Sequence, residues 1–477
     1  MMVHDLQESR RQVELTINGI GKVVDTHILL EGITLVAGPN DIGKSTIGKT
    51  LFALVNSQYD FTAHMLREKI IKIERVIYGY LPTEEEFAYR LADYLSKTVA
   101  TRIVKDLSAP AGTTLKAVGE WFTSQGRTFD DDQREQGEID DIRRILLDMG
   151  DNEDKRARTL RVQCASIIND DAASYRRRFM ENGFDMLFDA QINNRLEFGR
   201  DATASLSSHT TGQAVNATFR NDECLETSNT LDPRYNVLLI EDPRMITRVF
   251  SQRRRIPRFM SQYYYPGRIA DLYDQEWSII QARMHDATQG MSEHDLNARR
   301  AVNNRIISIL DKAHQGTVDA DDNGALVLRE TGDMTEPIRV ANASMGVKAV
   351  EFIKTILRRS VLDDATFLVL DEPEIHLHPE WQLVYAKALV LIARELHTRI
   401  LVTTHSPYFL QALQTYMTDA GQADRFHVYV PDIKDENESC SFRQADDDDL
   451  DNVIAAMSRP FDELMSVQAL GDPDLEA

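Results

Sequence analysis

Cysteine is scarce in this chain: Cys164, Cys224 and Cys440 are the only three in 477 residues, and they stand far apart with no CxxC pair. That spacing excludes a disulfide framework and offers no zinc-finger ligand set. Long apolar runs are missing as well. Nothing approaches the roughly 18 apolar residues of a membrane helix, and Met1–Val13 is polar and charged rather than signal-like. The expected setting is therefore cytoplasmic. Positive charge is in deficit, with 54 Lys and Arg against 76 Asp and Glu and a net charge of −22. Such a surface repels nucleic acid on average, so any DNA contact needs a local basic patch. Aromatic residues are absent before Phe52.

What is present is a phosphate-binding pattern. Gly38-Pro39-Asn40-Asp41-Ile42-Gly43-Lys44-Ser45 fits GxxxxGK[ST] without a mismatch, and Thr46 follows it. Glycines let backbone N–H groups wrap a phosphate, the lysine reaches the β- and γ-phosphates, and the Ser45 hydroxyl suits Mg²⁺. The flanks agree with this. Ile33–Ala37 reads as a short buried strand, and Ile47, Leu51, Leu54 and Val55 recur at helical spacing. Strand, loop and helix in that order put bound phosphates at a helix N-terminus. Upstream, Val13–Ile17 and Val23–Leu30 read as an antiparallel hairpin.

More than three hundred residues later, Phe367–Leu370 forms a four-residue apolar run ending in Asp371-Glu372-Pro373-Glu374. The run predicts a strand buried on both faces of a parallel sheet. Asp371 at its end is placed to hold Mg²⁺, and Glu372 is a candidate general base for the attacking water. After a helical stretch over Trp381–Leu396, Ile400–Thr404 repeats the buried-strand pattern and ends in His405, placed to bond a γ-phosphate. Between the halves, Ser344 and Gly346 open a helix with Val347, Val350, Ile353 and Leu357 on its apolar face, a second candidate anion site.

Together these segments resemble the ABC ATPase superfamily: Walker A, signature, Walker B, D-loop and H-loop, in chain order. Within it, Asp371–Gln382 and Thr403–Phe409 look like the AAA15/AAA21 class. That class includes the ATPase half of OLD nucleases, the Septu ATPase PtuA, the PARIS ATPase AriA and relatives of RecF and SMC heads. The resemblance covers roughly residues 10–57 and 320–415. It implies an α/β fold, an ABC-type P-loop nucleotide-binding domain split by a large, mostly helical insertion. It further implies ATP and Mg²⁺ as cofactors, Lys44, Glu372 and His405 as catalytic groups, and a homodimer of heads. In that dimer Ser344 and Gly346 would act on the partner's nucleotide, with Glu374–Trp381, His376 and His378 included, at the seam. Two departures stand out. Met345 replaces the first of the paired signature glycines, which points to a slow, switch-like ATPase. The tyrosine that stacks on adenine in transporter ATPases has no counterpart, which points away from transporters.

The expected organisation is a first lobe at 1–57, an insertion at 58–319, a second lobe at 320–440 and an acidic tail at 441–477. Within the insertion, Met65–Ile77 and Leu91–Leu107 have helical spacing, and no apolar heptad persists as a long coiled coil requires. Asp130–Asp154 is acidic, Arg195–Thr227 alternates as short strands or a β-hairpin would, and Val237–Ile240 resembles a further strand. Arg253, Arg254, Arg255 and Arg258 interleave with Tyr263–Tyr265 and Arg268, a pattern that could hold DNA or simply pair with nearby acids. No nuclease motif accompanies the ATPase. The leading expectation is an anti-phage defence ATPase that gates a separate effector such as a nuclease. The alternatives are a RecF/SMC-like clamp on DNA and a scaffold that binds ATP without turnover.

Overall fold

In the computed structural model, residues 12–59, 61–79, 155–250, 280, 292–330, 336–432, 439–446 and 449–459 are described. The apolar runs read from the sequence become strands, in the order β1 (Val13–Asn18), β2 (Thr26–Leu30) and β3 (Ile33–Ala37), followed by helix α1 (Lys44–Asn56). Helices α2 (Phe61–Tyr78), α3 (Lys155–Asn169) and α4 (Ala172–Phe188) come next. Strands β4 (Ala202–Ser208), β5 (Ala214–Arg220), β6 (Glu223–Asn229) and β7 (Asn236–Ile240) precede α5 (Met245–Val249) and α6 (Glu293–Leu310). The remainder is β8 (Gly316–Ala320), β9 (Leu326–Glu330), β10 (Ile338–Arg339), α7 (Met345–Arg358), β11 (Thr366–Asp371), α8 (Pro379–Glu395), β12 (Arg399–Thr404), α9 (Pro407–Asp419), β13 (Phe426–Asp432) and β14 (Ser441–Gln444). No helix among the described residues is long and apolar enough to cross a membrane.

Strands β3, β7 and β12 are buried at every position, as strands covered on both faces must be. They belong to a six-stranded sheet ordered β14-β13-β3-β12-β11-β7, parallel except for β14, with β3 and β12 at its centre and β7 at one edge. Its register aligns Thr404 with Ala37 and Asp371 with Thr403. The loop after β3, the end of β11 and the end of β12 therefore leave the sheet along one edge. A second, antiparallel sheet is ordered β2-β1-β4-β5-β6. Its strand β1 alternates, with Val13, Leu15 and Ile17 inward, and Phe184 of α4 packs on Phe219 of β5 at 4.5 Å between ring centroids. This is an α/β fold with a mostly parallel central sheet.

The chain divides into two units, Met1–Tyr59 with Arg177–Ala477, and Asp60–Arg176. In the smaller unit Lys69 donates to the carbonyls of Ile168 (2.7 Å) and Asp170 (3.0 Å), and Arg176 stacks on Phe61. This division corrects the expected 58–319 insertion. Residues beyond 176 return to the nucleotide lobe, because β4 pairs with β1 and β7 pairs with β11. The expected hairpin near 195–227 is a three-stranded part of the β1–β2 sheet. The boundary drawn at 441 also moves, since β14 closes the edge of the main sheet, and Arg443 pairs there with Asp449. Leu91–Leu107, Asp130–Asp154 and the Arg253–Arg268 patch lie outside the described residues.

One buried charge cluster fixes α7. Lys354, fully buried, donates to Glu351 Oε1 (2.6 Å) and to the carbonyls of His314 and Gly316, and it forms an ion pair with Asp311 Oδ1 (2.7 Å). His314 bridges Glu351 (3.1 Å) and Glu330 (3.4 Å), and Arg358 reaches the second oxygen of Glu351. Buried charges are tolerated when every partner is present. The hydrogen bond to Glu351, helped by Glu330, raises the His314 pKa above its ordinary 6.5, against burial and the Lys354 charge. A raised folded-state pKa stabilises the fold fully below the unfolded value, and that contribution is lost as pH rises through the folded value. The melting-temperature advantage of wild type over His314→Gln should therefore shrink between about pH 6 and pH 8. A constant advantage in thermal scans across that range would show that folding does not raise the His314 pKa.

Candidate functional site

The turn after β3 is built by backbone conformations that favour glycine. Gly38 and Gly43 have φ of 151° and 98°, and a Cβ on Gly43 would lie 2.8 Å from the Val23 side chain. Asp41, at φ 65°, is held by Lys22 from the β1–β2 turn, whose Nζ bonds its carboxylate (2.7 Å) and carbonyl (3.1 Å). Pro39 and Asn40 are exposed at the tip, Ile42 is half-buried, and Thr46, in the first turn of α1, donates its N–H to the Gly43 carbonyl.

Lys44 is 4% exposed and turns back into the loop, donating to the carbonyls of Gly38 (3.0 Å) and Pro39 (2.6 Å). Its Nζ also lies 3.7 Å from Glu372 Oε1. Burial lowers the lysine pKa, while Glu372 and Asp371 oppose that shift. Ser45 Oγ donates to Asp371 Oδ1 at 3.1 Å. Two oxygens this close form a natural pair of donors for a hard cation such as Mg²⁺.

Asp371 also accepts from Thr403 Oγ1, which in turn accepts from the Glu372 N–H (3.0 Å). Glu372 sits at φ 46°, an uncommon conformation for a residue with a side chain. Its Oε1 lies 3.4 Å from His405 Nδ1, close enough for an ion pair though outside hydrogen-bond geometry. The structure thus brings Lys44, Ser45, Asp371, Glu372 and His405 into one cluster from three strand ends. A phosphate cradle, a cation site and a carboxylate able to accept a proton from water are all available within it.

Ser344 and Gly346 belong to a different surface. Ser344 caps α7 by accepting from the Val347 N–H. Gly346 packs against its own chain, where a Cβ would come within 2.8 Å of the His376 carbonyl. Among the described residues, no hydrogen bond or ion pair joins either residue to the loop at 38–45. His378 caps α8 through the Glu380 N–H. Four residues that the motif reading passed over also shape the site: Lys22, Thr403, Glu374 and Gln382. Thr403 was legible only as part of Thr-Thr-His; its partner, Asp371, is brought to it by the sheet.

The Glu-Asp-Pro after β7 has a clear place. Register pairs Leu370 with Ile240, and Glu241 bonds Lys49 of α1 at 3.2 Å. The helix that follows the loop at 38–45 therefore lies beside it.

Residues 195–411 match the family profile described as "AAA domain, putative AbiEii toxin, Type IV TA system". The matched segment contains Ser344, Asp371, Glu372 and His405 and begins after the loop at 38–45. Solved structures similar to the chain include the SMC head domain from Thermotoga maritima, at 12% identity and TM-score 0.34, covering 91% of this chain and 99% of that one. Another is the Smc head domain with an extended coiled coil, bound to the C-terminal domain of ScpA and derived from Pyrococcus furiosus, at 11% identity and TM-score 0.37, covering 94% and 98%. Among curated proteins no relative matches. Residues 195–411, somewhat under half of the chain, are thus similar to this family of AAA domains.

Proposed function

We propose that the chain binds ATP with Mg²⁺ at Gly38–Ser45, hydrolyses it slowly, and uses the cycle as a switch that gates a separate effector in anti-phage defence. The observation that carries this reading is the convergence of Lys44, Ser45, Asp371, Glu372 and His405 on one sheet edge. Mg²⁺, held by Ser45 and Asp371, would supply neutralising charge to the phosphates. On ATP entry Lys44 exchanges its bonds to the Gly38 and Pro39 carbonyls for phosphate oxygens. Glu372, positioned by Thr403, accepts the proton of the attacking water, and His405 orients the γ-phosphate end.

Among the described residues no hydrogen bond or ion pair joins Ser344 or Gly346 to the loop at 38–45, which supports a head-to-tail homodimer in which each α7 start faces the partner's ATP. Ile375 in the β11–α8 loop and Tyr408 in the first turn of α9, 52% and 56% exposed, add apolar surface. The family description names a toxin of a type IV toxin–antitoxin system, and this favours a defence setting with an effector encoded separately. The Arg253–Arg268 pattern keeps a direct DNA clamp as the second reading. DNA that stimulates phosphate release at low salt, and loses that effect on charge reversal at Arg253–Arg255, would favour the clamp over gating.

Lys44→Ala should weaken ATP binding by about 10-fold or more in calorimetry, since it removes the only buried cation of the cradle. Glu372→Gln should keep ATP affinity, lose on the order of 10²–10³-fold in turnover, and accumulate an ATP-bound dimer in light scattering. Unchanged phosphate release from Glu372→Gln would remove the hydrolytic assignment. Ser344→Arg should abolish that ATP-dependent dimer while leaving binding to the monomer intact; a persisting dimer would place the seam elsewhere.

A further inference from the structure

Glu374 is a buried carboxyl that the hydrolytic steps above do not use. It lies in the loop between β11 and α8 and is 2% exposed. Its Oε1 accepts from Thr404 Oγ1 and from the backbone N–H of His405 (3.3 Å). Thr404 Oγ1 accepts in turn from the Ser406 N–H at 3.0 Å. Oε2 is buried with no hydrogen-bond partner among the described residues. Burial pushes the carboxyl pKa above its usual range, against the bonds from Thr404 and His405. A buried carboxyl with half its bonding capacity empty is destabilising where an apolar side chain of similar size would fill the space.

A second tie runs beside it. Gln382 Nε2 donates to the carbonyls of Glu374 (3.4 Å) and Leu377 (3.2 Å), and Gln382 Oε1 accepts from Ser406 Oγ (3.4 Å). The loop at 374–378 is thus bonded on both sides of His405. Among the described residues no hydrogen bond fixes His405 Nδ1, although it lies 3.4 Å from Glu372. The place of the imidazole therefore follows from where its backbone is held. The same loop supports Gly346, whose missing Cβ lets the His376 carbonyl approach.

We propose that Glu374 is a positioning residue: its buried carboxyl holds His405 against Glu372 and, with Gln382, couples that placement to the loop at 374–378 on which α7 rests. Movement of the loop then presents or withdraws His405. This inference rests on the ATPase reading above for its functional consequence, while the tie itself can be tested without turnover.

The test compares Glu374→Gln, whose amide oxygen still accepts both bonds, with Glu374→Leu, which fills the volume and accepts none. Glu374→Gln should stay within about threefold of wild-type kcat. Glu374→Leu should lose kcat on the order of 10²-fold, as sub-ångström to 1 Å misplacements do, with ATP affinity unchanged by calorimetry. Hydrogen–deuterium exchange across residues 403–408 should quicken in Glu374→Leu alone. Should Glu374→Leu fail to fold, Gln382→Leu replaces it, cutting the second tie at a half-buried position with the same expected exchange and kcat pattern. Wild-type exchange and kcat in the leucine variants would overturn the proposal, as would equal impairment of Glu374→Gln and Glu374→Leu. If wild type releases no phosphate, the ATPase reading fails, and exchange at 403–408 alone decides whether Glu374 holds His405.

Discussion

The parallel pairing of β12 with both β3 and β11 is the constraint from which the site follows. Each of these strands is buried, so its backbone groups are satisfied only by its neighbours. The resulting register sets Thr404 beside Ala37 and Thr403 beside Asp371. Three chain segments, separated by hundreds of residues, therefore exit at one level. A slip of one residue would turn the Thr403 hydroxyl to the opposite face. Asp371 would then lose one of its two hydroxyl donors, and Glu372 would lose the bond that supports its left-handed backbone. That backbone costs about 1–3 kcal/mol in isolation, so the sheet both creates the conformation and holds it.

Electrostatics explain how a buried lysine is tolerated in the loop. Lys44 is nearly enclosed, and burial alone favours its neutral form. Two carbonyls accept from it, and Glu372 and Asp371 supply the opposing charge. The side chain is thus already desolvated and partly compensated. In the proposed function, phosphate oxygens would replace these partners instead of stripping water from an exposed lysine, and such pre-organisation limits the reorganisation needed on binding. Lys22 acts similarly one step out, pinning Asp41 at the tip.

How much was legible in the sequence follows the range of the interactions. Gly38–Ser45, the strand ending at Asp371 and the strand before His405 each carry their pattern within eight residues, and the structure places them as that pattern implies. Val237–Ile240 was legible as a strand for the same reason, although its neighbour β11 was not. The division of the chain was missed because β4–β6 are rich in small polar residues, with Ala202, Ala204 and Ala217 supplying the inward face. That alternation shows a sheet without showing which sheet. The partner, β1, lies nearly two hundred residues away, and only tertiary pairing reveals it. Glu374 and Gln382 were invisible as site residues on the same grounds, since their partners follow the next strand.

Helix α7 joins these arguments. Its middle and end are fixed by Glu351, Lys354 and Arg358 against α6, His314 and β8, a fully compensated charge cluster that yields little at ordinary pH. Its start rests on the 376–381 loop at the closest approach that a glycine permits. The helix is thus tied at one end to α6 and β8 through the charge cluster and at the other to the loop through Gly346. From the loop the contacts lead by hydrogen bonds to Thr404, His405 and Ser406, and from Thr403 to Asp371 and Glu372. A polar core at the end of α7 and a glycine contact at its start therefore bring this helix into one continuous bonded path with the Asp371-Glu372 pair.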